Sequence, residues 1–135
     1  MKIMPLIIVV VMVFACNYSD RLNVAKIVDD AERIRDGEAK YYTGRRRYAT
    51  LQELVAAGLV DDSLADGRDA GYILDLTAED DRYKLSIYLE RSRPSDINGY
   101  REELSIYCDE TGVLRGSVDP NKRADAHSFE MNPKH

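Results

Sequence analysis

Two cysteines, Cys16 and Cys108, and two histidines, His127 and His135, are the side chains of this 135-residue chain suited to nucleophilic or metal chemistry. The histidines stand eight residues apart with Glu130 between them, an arrangement that could offer nitrogen and oxygen ligands to zinc. The sequence around them has little periodicity, so neither ring is placed on an ordered element and a mobile tail is the favoured reading. Nucleophilic catalysis needs a nucleophile oriented against a base. Cys108 instead alternates with Leu104 and Ile106, which turns it inward as a small buried hydrophobe. The acidic groups Asp61-Asp62, Glu79-Asp80-Asp81 and Asp109-Glu110 hold oxygens of the kind calcium takes about six to eight at a time. They could also pair for glycoside hydrolysis. Each sits in a turn or on a helix exterior, where a solvated acid is the plainer account. Arg45-Arg46-Arg47, flanked by Tyr41, Tyr42 and Tyr48, has the composition of a single-strand nucleic-acid contact. It also follows the end of a helix, where cations are favoured by the macrodipole. A loop that is either solvated or a contact for a protein partner through Arg45, Arg46 and Arg47 is expected instead. From these residues we expect no catalytic group, no metal, no cofactor and no nucleic acid.

Cys16 has a different chemistry. It closes an apolar run, Ile3 to Ala15, of thirteen residues behind a positive Met1-Lys2 start. A spanning helix needs roughly 20 apolar residues at about 1.5 Å each, whereas the apolar core of a secretory signal has about 7 to 15. Residues 1–15 therefore read as a signal peptide. The sequence "VFAC" resembles the bacterial lipobox, in which a small residue precedes a cysteine whose thiol takes a diacylglyceryl group before cleavage. Val13, Ala15 and Cys16 fit it, and Phe14 is bulkier than the usual occupant of its position. The resemblance implies that Cys16 is lipidated and becomes the N-terminus. Two or more acyl chains would anchor the protein, since each buried CH₂ contributes about 0.8 kcal/mol and one chain alone is marginal. Asn17, rather than aspartate, after the cysteine favours the outer membrane over the inner, on the periplasmic side.

From Cys16 onward 120 residues remain, enough for one domain that buries roughly two thirds of its unfolded surface. Without Lys2 there are 18 basic against 24 acidic residues, a formal charge of −6, which argues against partners held by bulk attraction to polyanions. Only Cys108 remains beside the lipid-bearing cysteine, so no disulfide framework and no cysteine-based zinc site can be built.

The elements that would position these residues follow from periodicity. Residues 20 to 43 read as an amphipathic helix with Val24, Ile27, Val28, Ala31, Ile34 and Tyr41 on one stripe. Asp29 to Arg33 and Asp36 to Lys40 are acid-to-base pairs at i,i+4, Ser19 or Asp20 can cap the start, and Gly44 can end the helix. Gly37 and Glu38 weaken the stripe. Thr50 and Glu53 form a capping box for a short helix that Gly58 ends. The period then changes to two. Tyr72, Leu74 and Leu76 form one strand, and Tyr83, Leu85, Ile87 and Leu89 the next, joined as an antiparallel hairpin across residues 78 to 81. After a polar loop, "SRPSDING", a strand through Leu104, Ile106 and Cys108 turns at "DETG" into a last one at Val113 to Arg115. The expected fold is α+β: a long N-terminal amphipathic helix packed on a three- to four-stranded antiparallel sheet, with a short helix between them. The domain covers residues 16–116, and 117–135 reads as an irregular tail.

The stretches "AERIRDGEAKYYTGRRRYATLQELVAAGLVDDSL", "GYILDL" and "YCDETGVLRG" resemble the globular part of type IV pilin-like proteins and of the pseudopilins of type II secretion. In that family the helix ends near an aromatic pair, here Tyr41-Tyr42. A Y-x-x-L-x-x-L segment follows, here Tyr48, Leu51 and Leu54, and the sheet closes with an Asp-x-x-Gly turn, here Asp109 to Gly112. The similarity runs from about Ala25 to Gly116. It implies an envelope assembly or scaffold role, with secretion or pilus proteins as partners and no catalysis. Pilins carry a long apolar segment of about twenty residues with a glutamate near its start. Residues 3 to 15 have neither, so the chain looks like a pilin-type domain moved onto a lipid anchor at Cys16. Some pseudopilins bind calcium in a late loop, but none of those ligands has a matching position here. An envelope hydrolase or a small-ligand-binding lipoprotein is the alternative.

Overall fold

The computed structural model describes residues 4–90 and 103–131, with side chains from residue 23 onward. The "SRPSDING" loop, His135 and the side chain of Cys16 lie outside the described residues. The chain opens with one helix, α1 (Met4–Arg45), of 42 residues, about 63 Å long at 1.5 Å per residue. The sequence expectation starts the helix near residue 20. The helix reaches back to Met4, the first described residue, because no glycine or proline interrupts the chain between Pro5 and Gly37. Ile27, Ala31 and Ile34 are fully buried and Tyr41 nearly so, whereas Val24 is exposed, so among the described side chains the core stripe begins at Ile27.

A short helix, α2 (Leu51–Ala56), carries the capping box: Thr50 Oγ1 accepts from Glu53 N, and a Glu53 carboxylate oxygen accepts from Thr50 N. Gly58, at φ +72°, turns the chain out of it. A 3₁₀ turn (Asp62–Leu64) leads into the sheet. Six strands follow: β1 (Arg68–Asp69), β2 (Tyr72–Ala78), β3 (Tyr83–Leu89), β4 (Ser105–Asp109), β5 (Arg115–Ser117) and β6 (Phe129–Glu130). They lie in sequence order, and each pairs antiparallel with the next.

The expectation of a long helix on a three- to four-stranded sheet is thereby overturned. Among the described residues the sheet has six strands, and beyond Arg45 the body is mostly sheet, with one six-residue helix and a 3₁₀ turn. The added strands are two-residue edges without room for a period. β1 is made by the turn after it, where Ala70 and Gly71 both have positive φ. β6 pairs Phe129 with Gly116 and Glu130 with Arg115. The strand expected at Val113 to Arg115 lies at Arg115–Ser117, because Asp109 gathers Thr111 N and Oγ1 and draws the turn tight before it.

One face of the sheet meets α1. Tyr72, Leu74, Tyr83, Leu85, Ile87, Ile106 and Cys108 share a core with Ile27, Ala31, Ile34, Leu54 and Leu64. The other face of β4 is covered by residues 118–124, part of the segment expected to be an irregular tail. Ser105 Oγ accepts from Ala124 N at 2.8 Å, Arg123 lies 3.7 Å over the Tyr88 ring, and Ser105, Tyr107 and Ala124 are buried.

Candidate functional site

The sequence places Arg45, Arg46 and Arg47 together; the structure gives them different work. α1 closes on Arg46, which adopts the left-handed φ of +58° and donates its N–H to Tyr42 O at 2.7 Å. That conformation is ordinarily a glycine's, and for an L-residue it costs about 1–2 kcal/mol. Gly44, the expected stop, lies inside the helix. Arg45 stacks over the Tyr41 ring at 4.4 Å and remains exposed, and the exposed Arg46 guanidinium has no side-chain bond among the described residues. Arg47 faces inward. Its guanidinium reaches Glu53 Oε2 at 2.6 Å and Oε1 at 3.2 Å and donates to Tyr41 Oη at 3.0 Å, while Tyr41 Oη donates to Glu53 Oε2 at 2.9 Å. The Arg47 bonds, the Thr50 N–H and the Tyr41 hydroxyl together hold the Glu53 carboxyl down to about 2. Tyr42 stacks on Tyr48 at 4.7 Å, and Tyr48 meets Tyr83 edge-on at 4.9 Å. Arg47 thus braces the loop, and Arg45 and Arg46 are its free cations.

The residues that pattern reading passed over lie on the buried stripe of α1. Asp30 is three residues after Ile27 and four before Ile34, and Glu38 is four after Ile34, so helical spacing sets both carboxyls on the core side. Asp30 is 6 % exposed and Glu38 fully enclosed. Asp30 and Asp69 of β1 bear directly on each other's protonation, and the Oδ2 of each is buried without a hydrogen-bond partner. Burial first, then the bond to Asp69 and that group's charge, push Asp30 up to about 8 against the opposing pull of Lys26. Burial pushes Asp69 the same way, but the hydrogen bonds from Asp30 and Lys26 hold it below its usual value. Lys26 Nζ lies 2.7 Å from Asp69 Oδ1. Glu38 Oε1 accepts from Ala49 N at 2.8 Å, and Oε2 is buried without a partner. Burial raises Glu38 to about 7, with the Ala49 bond opposing and the Glu53 charge adding. An acid pair sharing a proton is an arrangement for acid–base catalysis, but here it is sealed between helix and sheet.

The other candidates resolve into turns and core. Asp61 caps the 3₁₀ turn through Ser63 N, Asp109 holds Thr111 and Tyr107, and Glu79 and Asp81 pair with Arg82. Asp29 pairs with Arg33 as expected, at 2.7 Å, whereas Asp36 pairs with Arg35 at 3.1 Å. Cys108 is fully buried, its thiol pushed up by enclosure, with Sγ 3.7 Å from Tyr83 Oη. His127 lines an open cleft of about 500 Å³ beside β6, with Leu104, Val118, Phe129 and Met131. Phe129 is 90 % exposed there. Among the described residues, no three His, Cys, Asp or Glu side chains converge where a metal ion could sit, and no helix is long and apolar enough to cross a membrane.

No family model, no curated protein and no solved structure matches this chain.

Proposed function

We propose that the chain is a lipid-anchored envelope protein with a pilin-like head and a structural or protein-interaction role, linked to secretion or pilus machinery. The observation that carries this reading is that the helix bearing the stripe that enters the core of the head runs back through Cys16. Cys16 stands eleven residues before Ile27, the first buried core residue among the described side chains. A lipid there would lie about 16 Å from the core at 1.5 Å per residue. The order of long helix, capped short helix and antiparallel meander supports the pilin-like reading, as do Tyr41-Tyr42 at the helix end and the Asp109 to Gly112 turn. The partner contact is assigned to Arg45 and Arg46, with Arg47 holding the loop in place from within. Fatty-acid labelling of the full chain in an envelope-bearing cell tests the anchor. Label should follow the wild-type protein into membranes and disappear in Cys16→Ser, and a wild-type protein without lipid would overturn the reading.

The cleft beside β6 favours a second reading, a small-ligand-binding lipoprotein. An apolar fluorescent probe should then bind with a 1:1 stoichiometry that Phe129→Ser abolishes. Equal binding by both forms removes this alternative.

A further inference from the structure

We propose that α1 is held on the head by a proton-dependent latch: Asp30, facing Asp69 of β1, and Glu38, enclosed two turns further along the same helix face, must carry protons for the helix to dock. The geometry leaves little choice. Asp30 and Asp69 come from different elements and bear directly on each other, Asp30 buried and Asp69 half-buried, and the Oδ2 of each is buried without a hydrogen-bond partner. Two ionised carboxylates cannot share that space, so one proton belongs to the pair. Lys26 neutralises one charge only, and it is engaged with Asp69. The remaining charged group bearing on Asp30 is Asp29, which adds repulsion. Glu38 is surrounded by the Ala49 N–H, the tyrosines Tyr48 and Tyr83, and the like charge of Glu53. The Ala49 N–H is its one hydrogen bond, and no cation is recorded among the groups bearing on it.

The two acids pin α1 to two different places, β1 and the loop before α2, with Ile34 between them. When they ionise, the favourable response is to move the carboxylates into water, which lifts the helix from the sheet. Each carboxyl binds its proton more tightly in the docked state than when exposed. Its contribution is therefore fully present below the ordinary carboxyl range and is lost as the pH rises through about 7 for Glu38 and about 8 for Asp30. Asp69, held low, works in the opposite sense, and its contribution is lost on acidification. The device needs only the described head, so it stands whether or not Cys16 carries lipid.

Two measurements on the full chain in detergent micelles test it. Carboxyl carbon NMR needs no variant: both Asp30 and Glu38 should titrate with midpoints above about pH 6, and midpoints near the ordinary value of about 4 would overturn the latch. Hydrogen exchange, corrected for intrinsic rates, then reads the docking itself. The opening constant of amides 27–41, relative to amides 83–89, should rise by up to about tenfold per pH unit for each ionising carboxyl. It should be flat with pH in the Asp30→Asn, Glu38→Gln double variant. A rise of the same size in that variant, or none in the wild type, contradicts the proposal. Should the double variant not fold, Asp69→Asn alone should move the Asp30 midpoint to lower pH, and an unmoved midpoint contradicts the facing pair.

Discussion

The two faces of the sheet are closed by different chemistries. Against α1, Leu85, Ile87, Ile106 and Cys108 are shut off from water by aliphatic contact, and among the polar groups admitted there are two carboxyls on the helix. On the opposite face of β4 the cover is a non-periodic strip, residues 118–124, fastened by hydrogen bonds from Ala124 N to Ser105, from Glu103 N to Val118 O and from Ser117 Oγ to Lys122 O, and by a stacked arginine over Tyr88. Apolar closure depends on area and shape, so damage there spreads through the packed core. Polar closure depends on a few bonds, and its loss stays local. The difference teaches where this protein is brittle and where it can tolerate change.

The sharpest way to break the contrast is Ile34→Asp, which places an unpaired carboxylate in the apolar layer. The cost should be several kcal/mol, a large share of the roughly 5–15 kcal/mol that stabilises a domain of this size, and circular dichroism should show an unfolded head. Arg46→Asp, at the exposed loop, should hardly move the melting temperature. Equal tolerance of both changes would mean that α1 presents a different face to the sheet.

A smaller effect comes from pH. The Glu38 contribution fades between its unfolded value of 4.5 and about 7, which corresponds to a loss on the order of 3 kcal/mol. Glu53 acts oppositely. Held down to about 2 by Arg47, it stabilises above about 4.5 and loses that contribution as the pH falls through 2. The melting temperature should therefore peak in mildly acid solution and decline towards pH 8, and Glu38→Gln should flatten the decline. A maximum above pH 8 would contradict the Glu38 assignment, and unchanged stability down to pH 2 would contradict that of Glu53.

On the polar face, Ser105→Ala removes the acceptor for Ala124 N and should cost about 1–3 kcal/mol. Amide exchange should quicken in residues 118–124 and stay slow in β2 and β3. Quickening throughout the sheet would show that the two covers are not independent. The smallest change is a gain: Arg46→Gly relieves the left-handed residue at the end of α1 and should raise stability by about 1 kcal/mol, seen as a few degrees in the melting temperature. If Arg46 is also a partner contact, this variant should bind less well while melting higher.

The contrast between the faces is also why one was legible in sequence and the other was not. The period-two pattern of Tyr72 to Leu89 and the spacing of Ile27, Ala31 and Ile34 record contact with a continuous apolar layer, and the β2–β3 register and capping box appear as those residues suggest. Residues 118–131 touch the sheet through single side chains and backbone groups, which leave no period, so their segment read as a tail and β6 was missed. β1 was missed because its two residues are set by the Ala70-Gly71 turn. Asp30 did carry a signal, since it falls on the core stripe by spacing, but residue type pointed outward and masked it, whereas Glu38 read only as a weakness in that stripe. Of the arginines, composition could mark a cationic loop. It could not show that Arg47 is spent on Glu53 and Tyr41.

The central claim, a head carried on α1 from a lipid at Cys16, is tested most directly by mass spectrometry of the full protein extracted from the cell envelope. The account predicts an N-terminal peptide that begins at Cys16 and carries diacylglycerol with a further acyl chain. A peptide that retains residues before Cys16, with an unmodified thiol, would contradict it.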